Sequence, residues 1–158
     1  MKNYMLILTK EERQYLYKAP VYVSLLGALE NGDITSNEIK EASEMVHYRT
    51  FTSDEILHEY YEKVQQSFNS NIKKEKMMLP SDETQAKKIL HKKLEDINTI
   101  LTKVKSKFSI KLKKSLYSLA NHIANTENNW TQAISILVDP FIDTPDLQIS
   151  KDLFNRID

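Results

Sequence analysis

The chain has 158 residues with 22 basic and 22 acidic side chains, so its formal net charge is zero. It contains no cysteine, which excludes disulfides and thiolate chemistry and agrees with a reducing compartment. Two glycines and four prolines are too few for a β-sandwich or barrel, and no apolar run approaches the roughly 20 residues of a membrane span, so we expect a soluble, cytoplasmic, all-α protein.

The N-terminal part of the chain contains two helix-start signals and one break signal. Thr9 with Glu12, and Thr35 with Glu38, each place a hydroxyl three residues before a glutamate, which is the spacing of an N-capping box. Pro20 disfavours helical backbone in the residue before it. We therefore predict one helix after each threonine, with a kink or break just before Pro20.

The middle of the chain predicts a long amphipathic helix that ends at a proline. Thr52 and Glu55 have the spacing of a third capping box. Apolar residues then recur at steps of three or four, at positions 57, 60 or 61, 64, 68 and 72. We expect this helix to end before Pro80 and a new helix to start at Ser81–Glu83, whose acids suit a first turn.

The most regular apolar pattern follows Pro80. Its spacing alternates four and three residues, as in closely packed helix pairs, at Leu90, Leu94, Ile97, Leu101, Val104 and Phe108. This pattern predicts the second arm of a long antiparallel helix hairpin. We expect a break at Ser109, a further helix beyond it, and a short helix at Trp130–Val138.

These elements predict one domain over residues 1–158, because no segment rich in glycine, serine or proline divides the chain. The fold class is an all-α, single-domain helical bundle of about seven helices. Its core spans about residues 9–138, and residues 139–158 form a C-terminal tail with a short helix.

Charge is unevenly distributed along the chain. Residues 73–114 contain 13 lysines and five acidic residues, and both flanking segments are acidic. A basic face of this kind can bind nucleic acid, or an acidic protein or lipid. It can equally be a solvated helix surface, or match the acidic flanks within the molecule. The candidate partner-binding residues are Lys87, Lys88, Lys92, Lys93, Lys103, Lys105 and Lys107.

A tight acidic turn surrounds Gly32. Gly32, Ile34 and Glu38 have the spacing of the sixth, eighth and twelfth positions of an EF-hand calcium loop, but the first and third positions fall on a glycine and a leucine. One interpretation is purely structural, a glycine helix stop followed by a capping box. The other is a weak site for calcium or another divalent metal. Its candidate ligands are Glu30, Asn31, Asp33 and Glu38.

The same turn carries a resemblance to a known family. An apolar helix that ends in an acidic glycine turn, followed by a hydrophobic residue and a glutamate, resembles the motif of the tellurite-resistance TerB-like helical family. Here the first copy is Ala28–Ile34 with Glu38, and the second is Ala120–Thr126, each with asparagine in place of the usual aspartate. The resemblance implies an all-α fold of about seven helices and a stress-associated role.

Catalytic motifs are missing from the sequence. It has no glycine-rich phosphate loop and no nucleophile elbow, and its four histidines are scattered. We therefore expect a protein without enzymatic activity or cofactor: a TerB-like interaction module of a cytoplasmic stress or regulatory system, with a protein partner. The alternatives are a nucleic-acid-binding protein that uses the lysine-rich hairpin, and a small immunity or adaptor protein that binds one partner through its acidic flanks.

Overall fold

The structure is a computed structural model that describes residues 4–124. Its helices are α1 (Lys10–Tyr17), α2 (Ala19–Glu30), α3 (Ser36–Thr52), α4 (His58–Met78), α5 (Glu83–Leu101) and α6 (Ser106–Ala124), with a single 3-10 turn at Glu55–Leu57 before α4. No strand occurs between residues 4 and 124, which confirms the all-α class there. The same residues contain no helix long and apolar enough to cross a membrane. The predicted helix at Trp130–Val138 and the tail at 139–158 lie outside the described residues.

Helix α2 forms the centre of the bundle. Every residue from Ala19 to Leu29 is buried, since the helix is apolar on all sides and α3, α4, α5 and α6 pack around it. Helices α4 and α5, which are connected through Pro80, both pack on α2. At Gly27 the contact with α6 is so close that an added Cβ would lie 2.6 Å from the carbonyl oxygen of Ala120.

Two predicted capping boxes and the proline break are confirmed. In α1 and α3 the cap hydroxyls of Thr9 and Thr35 accept from the backbone N–H of the glutamate three residues on, and each glutamate accepts from the threonine backbone. Helix α1 ends at Tyr17, and α2 begins at Ala19 with Pro20 in its first turn. A proline is tolerated there because the first backbone N–H groups of a helix have no partner within the helix.

The third predicted capping box is wrong. Thr52 is the last residue of α3, and its hydroxyl donates to the Tyr48 carbonyl at 2.8 Å instead of capping a new helix. The cap is Asp54, whose carboxylate accepts from the Ile56 N–H at 3.1 Å. Threonine and aspartate are both good N-caps, and which of Thr52 and Asp54 caps the next turn depends on where α3 ends.

The predicted break at Ser109 is also wrong. Ser109 is buried inside α6, and the chain turns earlier, between Leu101 and Ser106. Val104 and Phe108 remain buried on either side of α6's first residue, so the apolar spacing continues across the turn. Because the spacing of apolar residues is the same before and after this turn, the spacing does not show where the turn lies.

Candidate functional site

The acidic turn is organised around the carboxylate of Glu38. Gly32 takes a φ of 97° just after α2, a conformation that favours glycine. One oxygen of Glu38 accepts from both the backbone N–H and the hydroxyl of Thr35, each at 3.0 Å. The other accepts from the Asn31 amide at 2.7 Å. Both oxygens of this carboxylate are therefore engaged, one by Thr35 at the start of α3 and the other by Asn31 at the end of α2.

The other metal-ligand candidates also have partners within the chain. Glu30 lies 3.5 Å from the ammonium of Lys87, and the carboxylate of Asp33 accepts from the Ile34 N–H at 2.8 Å. Between residues 4 and 124, no group of three or more His, Cys, Asp or Glu side chains is arranged to hold a metal ion. The four candidates share one turn, and the metal site stays a prediction.

The structure brings together the two segments in which the sequence predicted a repeated motif, as far as these segments are described. The Asn31 amide, in the first segment, donates to the Ile123 carbonyl of the second at 3.1 Å. One turn earlier, Gly27 of α2 faces Ala120 of α6. The second segment is described only as far as Ala124.

Two lysines of the predicted basic face pair with acids of the N-terminal segment. Lys87 reaches Glu30, and Lys103 pairs with Glu12. The hydrogen bond from Lys103, helped by the backbone N–H of Thr9, lowers the pKa of Glu12 below its usual value. These contacts favour the interpretation in which the basic segment matches an acidic flank inside the molecule, although exposed pairs of this kind add little stability.

Two more lysines of this face are engaged near α5. Lys92 lies 3.3 Å from Asp96 one turn along the same helix, and the ammonium of Lys93 lies 5.2 Å from the ring centroid of Tyr22. The remaining candidates have exposed side chains and no ion pair within the described part of the chain: Lys88, Lys105 and Lys107. The seven lysines do not form one uncompensated surface.

The sequence did not predict a cluster of exposed rings on α3, which we call the aromatic patch: His47, Tyr48 and Phe51. Tyr48 is 53% exposed and Phe51 57% exposed. Their ring centroids lie 6.0 Å apart in an edge-on arrangement, and the His47 ring meets Phe51 edge-on at 5.8 Å. The sequence does contain a signal for this cluster, because the three rings are not on the helix face that carries the buried residues Ala42 and Val46.

A small groove between α3 and α4 adjoins the aromatic patch. It has a volume of about 260 Å³ and is lined by Ser43, Val46, His47, Gln65, Phe68 and Asn69. The His47 ring forms one wall, and its Nδ1 lies 3.1 Å from the side-chain oxygen of Gln65. The groove therefore connects exposed aromatic surface with the buried side chain of Phe68.

The aromatic patch differs from the other two candidate surfaces in its partners. The acidic turn and much of the basic face are engaged by other groups of the chain, whereas the Tyr48 and Phe51 rings are more than half exposed and, within residues 4–124, make ring contacts only with each other and with His47. Comparison of the chain with protein-family models, with curated proteins and with solved structures finds no match.

Proposed function

We propose that this chain is a non-catalytic helical module that binds a protein partner through the aromatic patch. The observation that carries the proposal is the packing of Tyr48 and Phe51, which are more than half exposed and yet held edge-on against each other. Rings held in this way lose little side-chain entropy on binding, and tyrosine is enriched among the residues that dominate protein interfaces.

The groove beside the patch suggests the chemistry of the partner. We infer a partner segment that covers the two rings with apolar side chains and reaches into the groove, whose lining is mostly polar, with one polar side chain. Aromatic and apolar anchors surrounded by a polar rim are typical of such contacts. Glu44 and Lys40, exposed on the same helix, would belong to that rim.

We further propose a TerB-like arrangement for the whole chain, in a cytoplasmic stress or regulatory system. The contact of Asn31 with Ile123 supports it, because two related motifs that share a function are expected to lie side by side. The full bundle would then have about seven helices, with α4 and α5 as an antiparallel hairpin around Pro80 and a further helix at Trp130–Val138.

The alternatives have weaker support. Nucleic acid is a poor match, because Lys87 and Lys103 are paired with acids and a binding surface of this kind depends on uncompensated charge. An adaptor that uses its acidic flanks would have to release the same pairs. A calcium titration tests the metal site: absence of amide shifts at Asp33 and Glu38 at millimolar calcium would remove it.

The test of the protein-binding proposal compares two double variants of the intact chain. Tyr48→Ala with Phe51→Ala removes the patch, and Met77→Ala with Met78→Ala removes exposed apolar side chains near the end of α4. We expect one partner protein to bind both the wild type and the methionine variant. Its affinity for the patch variant should be lower by about 30-fold or more. Equal binding of the same proteins by both variants would contradict the proposal.

A further inference from the structure

An open, basic cleft lies where the end of α3, the 3-10 turn and α6 meet. Its volume is about 380 Å³, and the polar side chains that line it include Arg49, Asp54, Lys111, Lys114, Ser115 and Ser118. Three cations and one carboxylate among these six give the cleft an excess of positive charge. A cleft of this composition favours an anionic ligand.

Arg49 is held in position by hydroxyl groups. Its two terminal nitrogens donate to the hydroxyl oxygens of Ser115 at 3.2 Å and Ser118 at 3.4 Å. Its Nε is shielded from solvent and has no hydrogen-bond partner among the residues that the structure describes. Arg49 also forms no ion pair with a carboxylate between residues 4 and 124. Each terminal nitrogen carries a second N–H group, so a guanidinium group whose acceptors are all neutral is suited to receive an anion.

The floor of the cleft is fixed by a buried tyrosine. The Tyr61 hydroxyl lies 2.5 Å from the Ser115 oxygen, and the Tyr61 side chain is completely buried. Burial raises the pKa of Tyr61, and the charge of Arg49 partly opposes that rise. Ser115 is therefore anchored from below, which holds Arg49 at the surface of the cleft.

Among the described residues that line the cleft, the one carboxylate is already neutralised. Asp54 lies 3.0 Å from the ammonium of Lys111, and the hydrogen bond between them lowers the pKa of Asp54. Lys114, half-buried in the wall of the cleft, has no ion pair within residues 4–124. Two positive charges, those of Arg49 and Lys114, therefore remain uncompensated by any side chain of the cleft.

We propose that this cleft binds the phosphate group of a small ligand. Arg49 and Lys114 balance a dianion, and the Ser118 hydroxyl, which accepts from Arg49, has its own proton available to donate to a phosphate oxygen. The cleft is larger than one tetrahedral anion, so it leaves room for an organic substituent. This site is independent of the aromatic patch and does not rest on the proposed protein partner.

Titration of the intact chain tests the proposal directly. Inorganic phosphate and phenyl phosphate are each added at constant ionic strength against sodium chloride, while the Nε–H resonance of Arg49 and the amides of residues 111–118 are followed by NMR. Saturable shifts in these groups are expected. Equal affinity for both probes would identify a site for free phosphate, and tighter binding of phenyl phosphate a site for an organic phosphate. Shifts no larger than those with chloride would overturn the proposal.

Two variants with opposite expected effects separate binding from folding. Lys114→Gln removes one uncompensated charge and should weaken phosphate binding about tenfold. Asp54→Asn keeps a side chain that can cap the 3-10 turn but frees Lys111, so phosphate should bind several-fold more tightly. A misfolded variant cannot produce that gain. Lys105→Gln, an exposed lysine outside the cleft, is the matched control and should have no effect. Unchanged or weaker binding by Asp54→Asn would contradict the assignment.

Discussion

Gly27→Ala tests the closest helix contact in the bundle. The new methyl group would lie 2.6 Å from the Ala120 carbonyl oxygen and 3.1 Å from the Cβ of Ile123. The first distance is far below an ordinary van der Waals contact. The atom that the methyl group would meet belongs to the backbone of α6, which cannot move aside by a change of rotamer. Helices α2 and α6 must therefore separate locally, at a point where both are buried.

The expected magnitude combines two opposing effects. Alanine is favoured over glycine inside a helix by about 1 kcal/mol. Overpacking of a well-packed core costs about 1–3 kcal/mol, and a backbone obstacle places Gly27 at the upper end of that range. The net expectation is a loss of about 2 kcal/mol in the free energy of unfolding.

Chemical denaturation of the variant and the wild type measures this loss, followed by helical circular dichroism. Ser24→Ala is the matched control, because Ser24 lies in the same helix and its buried hydroxyl has no hydrogen-bond partner in the described part of the chain. That change should leave stability equal or raise it by about 1 kcal/mol. A Gly27→Ala protein as stable as the wild type would refute the close approach of α2 and α6.

Further predictions concern a turn glycine and a buried lysine. Gly32→Ala should cost about 1 kcal/mol in unfolding free energy, because φ is 97° while no atom of residues 4–124 outside the turn lies within 4 Å of the new methyl group, so the expected cost is backbone strain. Burial lowers the pKa of Lys113 to about 8 from 10.5, so between these pH values the unfolded chain binds more protons and stability rises with pH, by up to about 3 kcal/mol. Lys113→Met should abolish that rise. Thermal unfolding at several pH values checks this prediction, and the quantity to compare is the difference in stability between the wild type and Lys113→Met. Burial raises the pKa of Tyr15 to about 12, which gives both proteins an opposite slope above pH 10. The difference between the two proteins removes that shared slope. A difference that does not change with pH would contradict the burial of Lys113.

Local features of the fold could be predicted from the sequence because they depend on neighbouring residues. The capping boxes at Thr9 and Thr35 and the break before Pro20 each involve only a few consecutive positions. The stripe from Leu90 to Leu101 was equally clear, and its four apolar residues are almost completely buried. The position of the turn after α5 could not be predicted, since Val104 continues the same spacing.

The candidate sites depend on contacts between distant residues, which a single sequence does not encode visibly. Lysine content indicated a basic face, but not that Lys87 would meet Glu30 or Lys103 would meet Glu12. The aromatic patch could have been found, because exposed rings one turn apart on a helix are a local pattern. The cleft at Arg49 could not have been found, because it joins Arg49 to Ser115 and Ser118, which lie 66 and 69 positions further along the chain.

Site-specific photocrosslinking measures most directly whether the aromatic patch is a protein-binding surface. A photoreactive phenylalanine replaces Tyr48 in one protein and Met77, an apolar residue that is even more exposed, in a second. We predict one dominant crosslinked protein at position 48, with its yield lost when Phe51→Ala is added, and no corresponding product at position 77. The same product at both positions, or none at position 48, would contradict the assignment.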